Sequence, residues 1–473
     1  MSKNAGTSSQ PRPKSSSADR VDARQIAARV LVRVWSDAAY AAPTLDGELH
    51  RARDLGARDA GLATELVYGV LRTASALEKQ IAAHAKSSRW SRKPWVRAHL
   101  LIAVYALSFL DRVPSFAAVS EAVAAIKTGT RDLRMAGFAN AVLRKVAREH
   151  ERSDAEDRGA RLAHAIVEAT PAWLRAALEP SLGGAEPTRR YLTAGPLPPP
   201  ICLALGHDHD REPWVEQLRA AAPNAQIEPG EVSPRCIRIR RAGDPRGLPG
   251  FQAAWIVQEE GAQVIALAVG AKSGEEVLDA CAGRGGKARL LAEAVGPDGA
   301  VDAADLHPRK LRRIAQAIGP SAGIRQTMAV DWTRGSGEVT SRYDRVLVDA
   351  PCSGVGTLRR RPEIAHRLAA SDVARLAALQ LAVVRGAAKH VRDGGRLVYA
   401  VCSVLREEGE EVVAALTGGS SSETPDETPR LSPAPFDSEV VRELAPEATQ
   451  LRLLPHRHGT DGYFLASFVV HHL

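Results

Sequence analysis

Apolar residues recur at helical spacing through residues 22–150. Two stretches show the pattern: Leu62, Leu66, Val67, Val70 and Leu71, and then Val96, Leu100, Leu101, Val104 and Leu107. Such i, i+3, i+4 spacing is typical of amphipathic helices that bury one face. Pro94 suits the first turn of a helix, and Ser115 is a candidate N-cap for the next one. The pattern predicts an all-helical bundle, which we assign to residues 21–150.

The pattern changes after Glu275, where short apolar runs alternate with amphipathic stretches. The predicted strands are residues 277–280, 300–304, 345–348 and 396–400. The predicted helices are residues 286–295, 307–317, 371–391 and 407–416, and two later β runs cover 450–454 and 463–470. Strands that alternate with helices predict βαβ units around a mostly parallel sheet. We therefore expect an α/β domain at residues 251–473.

Three other segments complete the predicted domain organisation. Residues 1–20 are polar and predict a disordered tail. Residues 151–250 begin as a charged link and become rich in proline and glycine, with short β runs, so we interpret them as a connector with a small α/β module. Residues 418–435 have low complexity and predict a disordered insertion within the α/β domain.

Positive charge is concentrated in the helical part. The whole chain has a formal net charge of +8, and residues 21–150 alone hold 20 Lys and Arg against 12 Asp and Glu. Such a domain is expected to bind a polyanion such as RNA, although a solvated arginine-rich surface has the same composition. Arg89, Arg92 and Lys93 form a dense basic segment and are candidate RNA contacts.

Composition also argues against several classes of protein. No apolar stretch approaches the ~20 residues of a membrane helix, and the first residues lack the hydrophobic core of a signal peptide. The five cysteines, at positions 202, 236, 281, 352 and 402, show no CxxC spacing, which argues against a disulfide framework and a zinc site. We expect a reduced, cytoplasmic protein without a metal. Its oligomeric state stays open, and a monomer is the simplest expectation.

The first motif that carries chemistry is VLDACAGRGGKA at residues 277–288. A strand ends in an aspartate, and a glycine-rich turn then leads into a helix, which lets backbone approach a ligand closely. Many glycine turns bind nothing, and a nicotinamide or another nucleotide would also fit this one. The candidate cofactor-binding residues of the turn are Cys281, Ala282, Gly283, Arg284, Gly285, Gly286 and Lys287.

Acidic residues follow the next two strands. Asp305 can accept hydrogen bonds from a ribose, or it can cap the helix that starts near Pro308. Asp331 can reach an adenine edge, and a simple turn aspartate is a nearly equal alternative. Together with the glycine turn, Asp305 favours a nucleoside-containing cofactor.

Two cysteines follow the ends of two later strands. In VLVDAPCSGVGTLRRRPEI, residues 346–364, Asp349 ends a strand and Cys352 lies in the tight loop behind it. In RLVYAVCSVLREEGEEV, residues 396–412, Cys402 comes directly after a strand. Because the carboxyl ends of parallel strands meet at one edge of a sheet, both thiols can face one cleft. The alternative is that each is a buried structural cysteine. The loop also carries three consecutive basic residues, which we expect to hold phosphate and to favour a thiolate: Arg359, Arg360 and Arg361.

These groups suit covalent catalysis on a pyrimidine. Carbon 5 of cytosine is a poor nucleophile, but a thiolate that adds to carbon 6 turns the ring into an enamine that can attack a methyl sulfonium. Asp349 can support charge at ring nitrogen 3 or accept a hydrogen bond from the exocyclic amine. A second cysteine can help to expel the first. Spacing alone does not rank the two cysteines.

With these motifs in place, the chain resembles the RsmB/NOP family of RNA cytosine-5 methyltransferases, in particular its bacterial Sun/Fmu (RsmB-type) branch. In the helical part, ELVYGVLR (65–72), FAAVSEAVAAIK (116–127) and FANAVLRKVARE (138–149) are similar to a NusB-type RNA-binding domain. In the α/β part, VQEEGAQ (257–263) and LLPHRHGTDGYFLASF (453–468) resemble family motifs. The similarity covers nearly the whole chain.

The resemblance implies a fold, a reaction and roles for residues. It implies a NusB-like bundle followed by a Rossmann-like class I methyltransferase domain that uses S-adenosylmethionine to methylate carbon 5 of a cytosine in RNA, with 16S ribosomal RNA as the expected substrate. It implies that Cys402 is the nucleophile and that Cys352 assists product release. The cofactor positions that it implies are residues 281–287, Asp305, Asp331 and Asp349. Two alternatives stay open: a transfer-RNA cytosine-5 methyltransferase, and a non-catalytic RNA-binding assembly factor.

Overall fold

A computed structural model shows the fold and describes residues 22–52, 55–111, 113–150, 158–194, 199–318, 323–335, 337, 339–340, 342–418 and 429–472. The predicted tail at 1–20 and residues 419–428 of the predicted insertion lie outside these ranges. In the described ranges, no helix is both long and apolar enough to cross a membrane.

The N-terminal bundle is entirely helical. It consists of α1 (Ala23–Ser36), α2 (Ala41–Arg51), α3 (Ala57–His84), α4 (Pro94–Phe109), α5 (Ser115–Thr130) and α6 (Leu133–His150). The predicted apolar stripes form its core, with Leu66 and Leu100 fully buried. Pro94 begins α4 as predicted. Ser115 is not an N-cap: it is the first helical residue, and Pro114, whose ring fixes φ near −60°, sets the entry to the helix without a side-chain hydrogen bond.

Three helices connect the bundle to the rest of the chain: α7 (Arg158–Ala169), α8 (Ala172–Leu182) and α9 (Ala185–Thr193). Their apolar side chains share a core with loops of the C-terminal domain, where Leu174 and Leu178 are buried together with Val355 and Val404. The first part of the predicted connector is therefore a packing element that supports these loops.

A small antiparallel sheet follows. Its elements are β1 (Ile201–Leu205), α10 (Arg211–Ala221), β2 (Gln226–Pro229), β3 (Cys236–Arg240) and β4 (Trp255–Val257). The strand order is β2-β3-β1-β4, and every neighbouring pair is antiparallel. Strand β4 lies beyond residue 250, where we predicted the module to end.

The C-terminal domain is built on one large sheet. Its strands are β5 (Glu276–Asp279), β6 (Ala300–Asp305), β7 (Ile324–Ala329), β8 (Tyr343–Asp349), β9 (Val391–Val401), β10 (Arg430–Pro433), β11 (Gln450–Leu453) and β12 (Tyr463–His471). Its helices are α11 (Glu260–Ala268), α12 (Gly286–Val295), α13 (Pro308–Ile318), α14 (Ala370–Ala388), α15 (Glu410–Thr417), α16 (Glu439–Leu444) and α17 (Pro455–His458). The order is β10-β12-β9-β8-β5-β6-β7, with β11 paired to β12.

The core of this sheet is parallel. Strands β7, β6, β5, β8 and β9 pair in parallel, whereas β12 runs antiparallel to β9. Val346 and Val348 belong to the core on one face and Leu347 to the core on the other. Burial on both faces explains the continuous apolar runs of these strands. The predicted α/β fold with a mostly parallel sheet is confirmed.

One part of the predicted disordered insertion is ordered. Residues 430–433 form β10, which pairs antiparallel with β12, and Leu431 is buried in the core. The prediction was wrong there because local composition carries no information about a strand that forms only against a distant partner.

Candidate functional site

The glycine turn joins β5 to α12 at the carboxyl edge of the sheet. Gly283 and Gly285 have φ values of 59° and 83°, in the left-handed region that favours glycine. Gly285 is the N-cap of α12. The turn therefore presents the start of a helix with no side chain at these two positions, an arrangement that suits close approach of a ligand.

Asp279 is a buried carboxylate beside this turn. It is 1% exposed, and neither of its oxygens has a hydrogen-bond partner within the described part of the chain. Burial raises its pKa to about 7, against the opposing charge of Lys287. Buried polar groups are normally paired, so this carboxylate points to a ligand that donates hydrogen bonds. The sequence analysis described Asp279 only as the end of a strand and did not predict a binding role. Its position directly before the glycine turn is the feature that could have indicated one.

Asp305 fastens the same turn. One carboxylate oxygen accepts from the N–H of Gly283 at 3.0 Å and lies 3.2 Å from Nζ of Lys310. The other oxygen accepts from the N–H of His307 at 2.8 Å, just before α13 begins. Asp305 therefore shapes the glycine turn and the entry to α13, and ribose binding stays a prediction.

The other predicted residues around the turn differ in their surroundings. Ala282 is buried, Cys281 is partly exposed and Arg284 is exposed. Burial raises the pKa of the Cys281 thiol well above its usual value. The carboxylate of Asp331 accepts from the N–H and the hydroxyl of Thr333, at 3.1 and 2.6 Å, which is the geometry of a turn. An adenine contact by Asp331 stays a prediction.

Lys287 and Asp349 form an ion pair between the glycine turn and the end of β8. Nζ of Lys287 lies 2.5 Å from Oδ2 of Asp349. Burial alone would lower the pKa of Lys287, but Asp349 outweighs this effect and raises it. The pair links the predicted cofactor turn to the predicted catalytic loop.

The two predicted catalytic cysteines are in contact. Cys352 follows β8 and Cys402 follows β9, which are parallel neighbours, and their sulfur atoms lie 3.2 Å apart. Both side chains are partly exposed. The hydrogen bond with Cys402, together with burial, raises the pKa of Cys352 well above its usual value. Cys352 therefore stays a thiol that can donate a hydrogen bond to Cys402.

A buried polar network holds the Cys352 loop. Glu408 accepts from the backbone N–H of Ser353 at 2.8 Å and from its hydroxyl. Gln380 donates to Glu408 and to the carbonyl of Pro351, both at 3.0 Å, and Tyr399 donates to Gln380. Sequence reasoning did not single out Glu408 or Gln380, because neither stands beside a cysteine in the chain.

Two of the three predicted phosphate-binding arginines are engaged within the fold. Arg359 is buried and pairs with Asp461 and, at 3.5 Å, with Glu259. Arg360 pairs with Asp461 at 3.0 Å. Asp461 and Glu259 already engage these two arginines, and the ion pairs anchor the loop to the segment before β12, so a phosphate contact by this pair stays a prediction. Arg361 is exposed.

Two glycines bring the Cys352 loop into backbone contact with the segment before β12. The N–H of Gly462 donates to the carbonyl of Gly356 at 2.7 Å, and the N–H of Gly356 donates to the carbonyl of Cys402 at 3.0 Å. A Cβ atom on Gly356 would lie 1.9 Å from the carbonyl oxygen of Gly462. Only glycine allows this approach, so the position of the loop depends directly on the last part of the sheet.

The predicted basic segment of the bundle lies on its surface. Arg89, Arg92 and Lys93 are exposed in the turn between α3 and α4. Lys93 forms an ion pair of 3.1 Å with Asp132. Arg89 and Arg92 form no salt bridge with the described residues.

A second thiol pair lies outside this site. Cys202 and Cys236, on β1 and β3, are buried, and their sulfur atoms lie within 4.8 Å of each other and of a carboxylate oxygen of Glu260. Cysteine spacing gave no sign of this cluster. Glu260 already accepts from two backbone N–H groups, at 2.7 and 3.0 Å, and from Arg238 at 2.6 Å. These hydrogen bonds give the Glu260 carboxylate a structural role.

Two family descriptions match the chain. The one for 16S rRNA methyltransferase RsmB/F matches residues 265–469, and the one for the NusB family matches residues 21–148. The match at 21–148 coincides with the helical bundle, and the match at 265–469 covers most of the large sheet together with Cys352 and Cys402.

Curated proteins and solved structures are similar over most of the chain. A Bacillus subtilis (strain 168) protein, described as a probable ribosomal RNA small subunit methyltransferase B, is 34% identical over 95% of this chain and 98% of its own. Ribosomal RNA small subunit methyltransferase B of Cronobacter sakazakii is 30% identical over 95% of this chain and 99% of its own. The crystal structure of PH0851 shares the fold with a TM-score of 0.74, at 22% identity, over 95% of this chain and 99% of that one.

Proposed function

Because this chain belongs to the RsmB/F family of 16S rRNA methyltransferases, which depend on S-adenosylmethionine, we propose that it methylates carbon 5 of a cytosine in small-subunit ribosomal RNA through a covalent cysteine–cytosine adduct. The observation that carries the proposal is the 3.2 Å contact between Cys352 and Cys402 at the carboxyl edge of the sheet. The Asp349–Lys287 pair extends the same site toward the glycine turn.

The residues around the turn fit S-adenosylmethionine. When bound, this cofactor supplies an electrophilic methyl group. Its ammonium and ribose hydroxyl groups are donors, and Asp279 is a buried acceptor without a partner among the described residues. Asp305 lies at the same turn, and the left-handed Gly283 and Gly285 leave room for close approach. We assign cofactor binding to residues 281–287 with Asp279, Asp305, Asp331 and Asp349.

Cys402 is the nucleophile of the proposed reaction. Its thiolate forms a bond from Sγ to carbon 6 of the cytosine, and the electron pair of the 5,6 double bond makes carbon 5 nucleophilic. As a carboxylate paired with Lys287, Asp349 orients the ring by accepting a hydrogen bond from the exocyclic amine. Lys287, 2.5 Å away, fixes the carboxylate of Asp349 in that position.

Cys352 assists release of the methylated product. Once carbon 5 has taken the methyl group and the sulfonium has left as a thioether, the proton on carbon 5 passes to a water molecule. The electron pair of that C–H bond restores the 5,6 double bond, and the Sγ–carbon 6 bond breaks to return the Cys402 thiolate. Burial and the contact with Cys402 keep Cys352 protonated, so its thiol can donate a hydrogen bond to the departing sulfur. The contact between the two sulfur atoms is symmetric, so the assignment of Cys402, rather than Cys352, as the attacking group follows from the resemblance of its motif to the family.

The helical bundle supplies affinity for RNA in this proposal. Its excess of basic residues and its exposed Arg89 and Arg92 favour electrostatic binding to phosphates. Lys93 and the exposed Arg361 of the catalytic loop are further candidate contacts. The relatives named for the small ribosomal subunit favour ribosomal over transfer RNA as substrate.

Substitution of each cysteine tests the mechanism. We expect Cys402→Ala to be inactive and to form no adduct, because carbon 6 is never attacked. Cys352→Ala should attack and methylate but release slowly, so that RNA and protein migrate together in denaturing gel electrophoresis when cofactor is present. Cys202→Ala, in the buried pair, is the matched control and should behave as wild type.

Other outcomes would reassign the roles. An adduct trapped in Cys402→Ala would make Cys352 the nucleophile. Full methylation by both variants would overturn the covalent mechanism. Mapping of 5-methylcytosine in RNA from cells with and without the gene separates ribosomal from transfer RNA as substrate.

A further inference from the structure

We propose that Tyr40, together with Arg361 and Arg367, forms a stacking platform for one unpaired nucleotide of the RNA substrate. The platform joins the helical bundle to the catalytic loop. This inference rests on the proposed function, since it assumes an RNA substrate, and it names a binding subsite for that RNA.

Tyr40 is a partly exposed aromatic ring with two guanidinium groups over it. It is 55% exposed, and the guanidinium carbons of Arg367 and Arg361 lie 5.4 and 6.0 Å from its ring centre. The exposed part of such a ring can stack with a nucleobase, and the arginines over it attract the adjoining phosphates. Neither arginine forms a salt bridge with the described residues, so their charge remains available.

The backbone around Tyr40 is fixed by contacts across the two domains. Arg367 donates to the carbonyls of Val34 and Ala39, at 3.1 and 2.6 Å. The N–H of Ala41 donates to the buried carboxylate of Glu363 at 3.1 Å. These bonds hold the turn between α1 and α2 on the catalytic loop, and a platform held in this way loses little freedom when a base binds.

The turn that presents Tyr40 also contains a strained residue. Ala38 has a φ of 51°, in the left-handed region that alanine rarely adopts. Such strain persists where surrounding contacts determine the conformation, and it is concentrated at functional positions. Here those contacts aim an aromatic side chain at solvent and not into the core.

The platform belongs to the loop that carries the chemistry. Arg361 follows Cys352 by nine positions, and between them Gly356 donates to the carbonyl of Cys402 at 3.0 Å. A base stacked on Tyr40 would therefore hold the RNA on the loop that bears the catalytic thiol. RNA is favoured over a protein partner because the patch combines one aromatic ring with two arginines that have no carboxylate partner among the described residues.

Substitutions at Tyr40 test the platform. In full-length protein with saturating cofactor, we expect Tyr40→Ala to raise KM for RNA about tenfold with kcat unchanged. Tyr40→Phe should keep the wild-type KM, because stacking needs the ring and not the hydroxyl. Phe116, which is 78% exposed on the same bundle and has no stacked arginine among the described residues, supplies the control, and Phe116→Ala should not change KM. In wild type, RNA that contains 4-thiouridine should photocrosslink to Tyr40.

The other possible outcomes distinguish failure of the platform from failure of the proposed function. If wild type methylates RNA and Tyr40→Ala has the same KM with no crosslink, the platform is overturned and the proposed function stands. If Tyr40→Phe is as defective as Tyr40→Ala while both fold normally by circular dichroism, the ring does not stack on a base. If wild type neither methylates nor binds RNA, both the proposed function and the platform fall.

Discussion

The molecule contains two pairs of neighbouring thiols in very different surroundings. Cys352 and Cys402 lie at the carboxyl ends of parallel strands, partly exposed and 3.2 Å apart. Cys202 and Cys236 lie within an antiparallel sheet and are 3% and 0% exposed. Proximity of two sulfur atoms is common to both pairs, so proximity alone does not define a reaction site.

The carboxylates near the two thiol pairs differ in their hydrogen bonding. Glu260, beside Cys202 and Cys236, has accepted hydrogen bonds from the backbone and from Arg238. Asp279, in the site that contains Cys402 and Lys287, has none within the described residues. The carboxylate beside Cys202 and Cys236 is hydrogen-bonded within the fold and has a structural role. The carboxylate of Asp279 remains an acceptor that a ligand can use.

Thiol reactivity should separate the two pairs by the largest margin. In native protein, N-ethylmaleimide should modify Cys402 at least about a hundredfold faster than Cys236, because Cys236 reacts only after its sheet opens. Peptide mass spectrometry over time measures both rates in one sample. Similar rates at Cys402 and Cys236 would remove the contrast, and denatured protein, where all cysteines should react alike, is the control.

Removal of the buried carboxylate should show that the second cluster is structural. Glu260→Gln leaves the charge of Arg238 without its buried partner, and we expect a loss of about 3 kcal/mol in the free energy of unfolding in urea. Asp344→Asn, at the more exposed pair with Arg392, should lose less than about 1 kcal/mol. Methylation per folded molecule should be unchanged in both variants. A loss at Glu260 no greater than at Asp344 would contradict the structural role.

The pH dependence of stability should show that Asp279 is unpaired. The pKa of its carboxyl is about 7 in the folded protein against 3.8 as the reference value, so between these values the folded state binds more protons than the unfolded state. Stability without cofactor should therefore fall as pH rises, by about 2 kcal/mol between pH 5 and 6.5 from this group.

Asp279→Asn should remove that part of the slope, which urea unfolding at several pH values can measure. Asp331→Asn is the control, since hydrogen bonds from Thr333 lower the pKa of that exposed carboxyl. If wild type and Asp279→Asn have the same slope, Asp279 is paired in solution and is a weaker cofactor ligand than we propose.

Much of the fold could be predicted because its signals are local. Most strands and helices of the C-terminal domain carry their own periodicity, and the rule that parallel strands share a carboxyl edge was enough to bring Cys352 and Cys402 together. The glycine turn was predicted for the same reason, since its function depends on consecutive residues.

Contacts between distant residues could not be predicted. Arg359 and its partner Asp461 are separated by 102 positions, so a row of three arginines looked free to bind phosphate when two of them are paired. The Cys202–Cys236 cluster depends on the pairing of β1 with β3, which places Ala204 opposite Cys236. Strand β10 likewise depends on β12 and is hidden in a segment of low complexity.

The contact between Gly356 and Gly462 has a consequence for how the protein is made. Cys352 and Cys402, the proposed catalytic cysteines, have both been synthesised by about sixty residues before Gly462, on which the Cys352 loop rests. At an elongation rate of ~5–20 residues per second, a nascent chain spends roughly 3–12 s with both thiols present and no seat for the loop. During synthesis, both thiols are therefore present for several seconds before the residue that supports the Cys352 loop has been added.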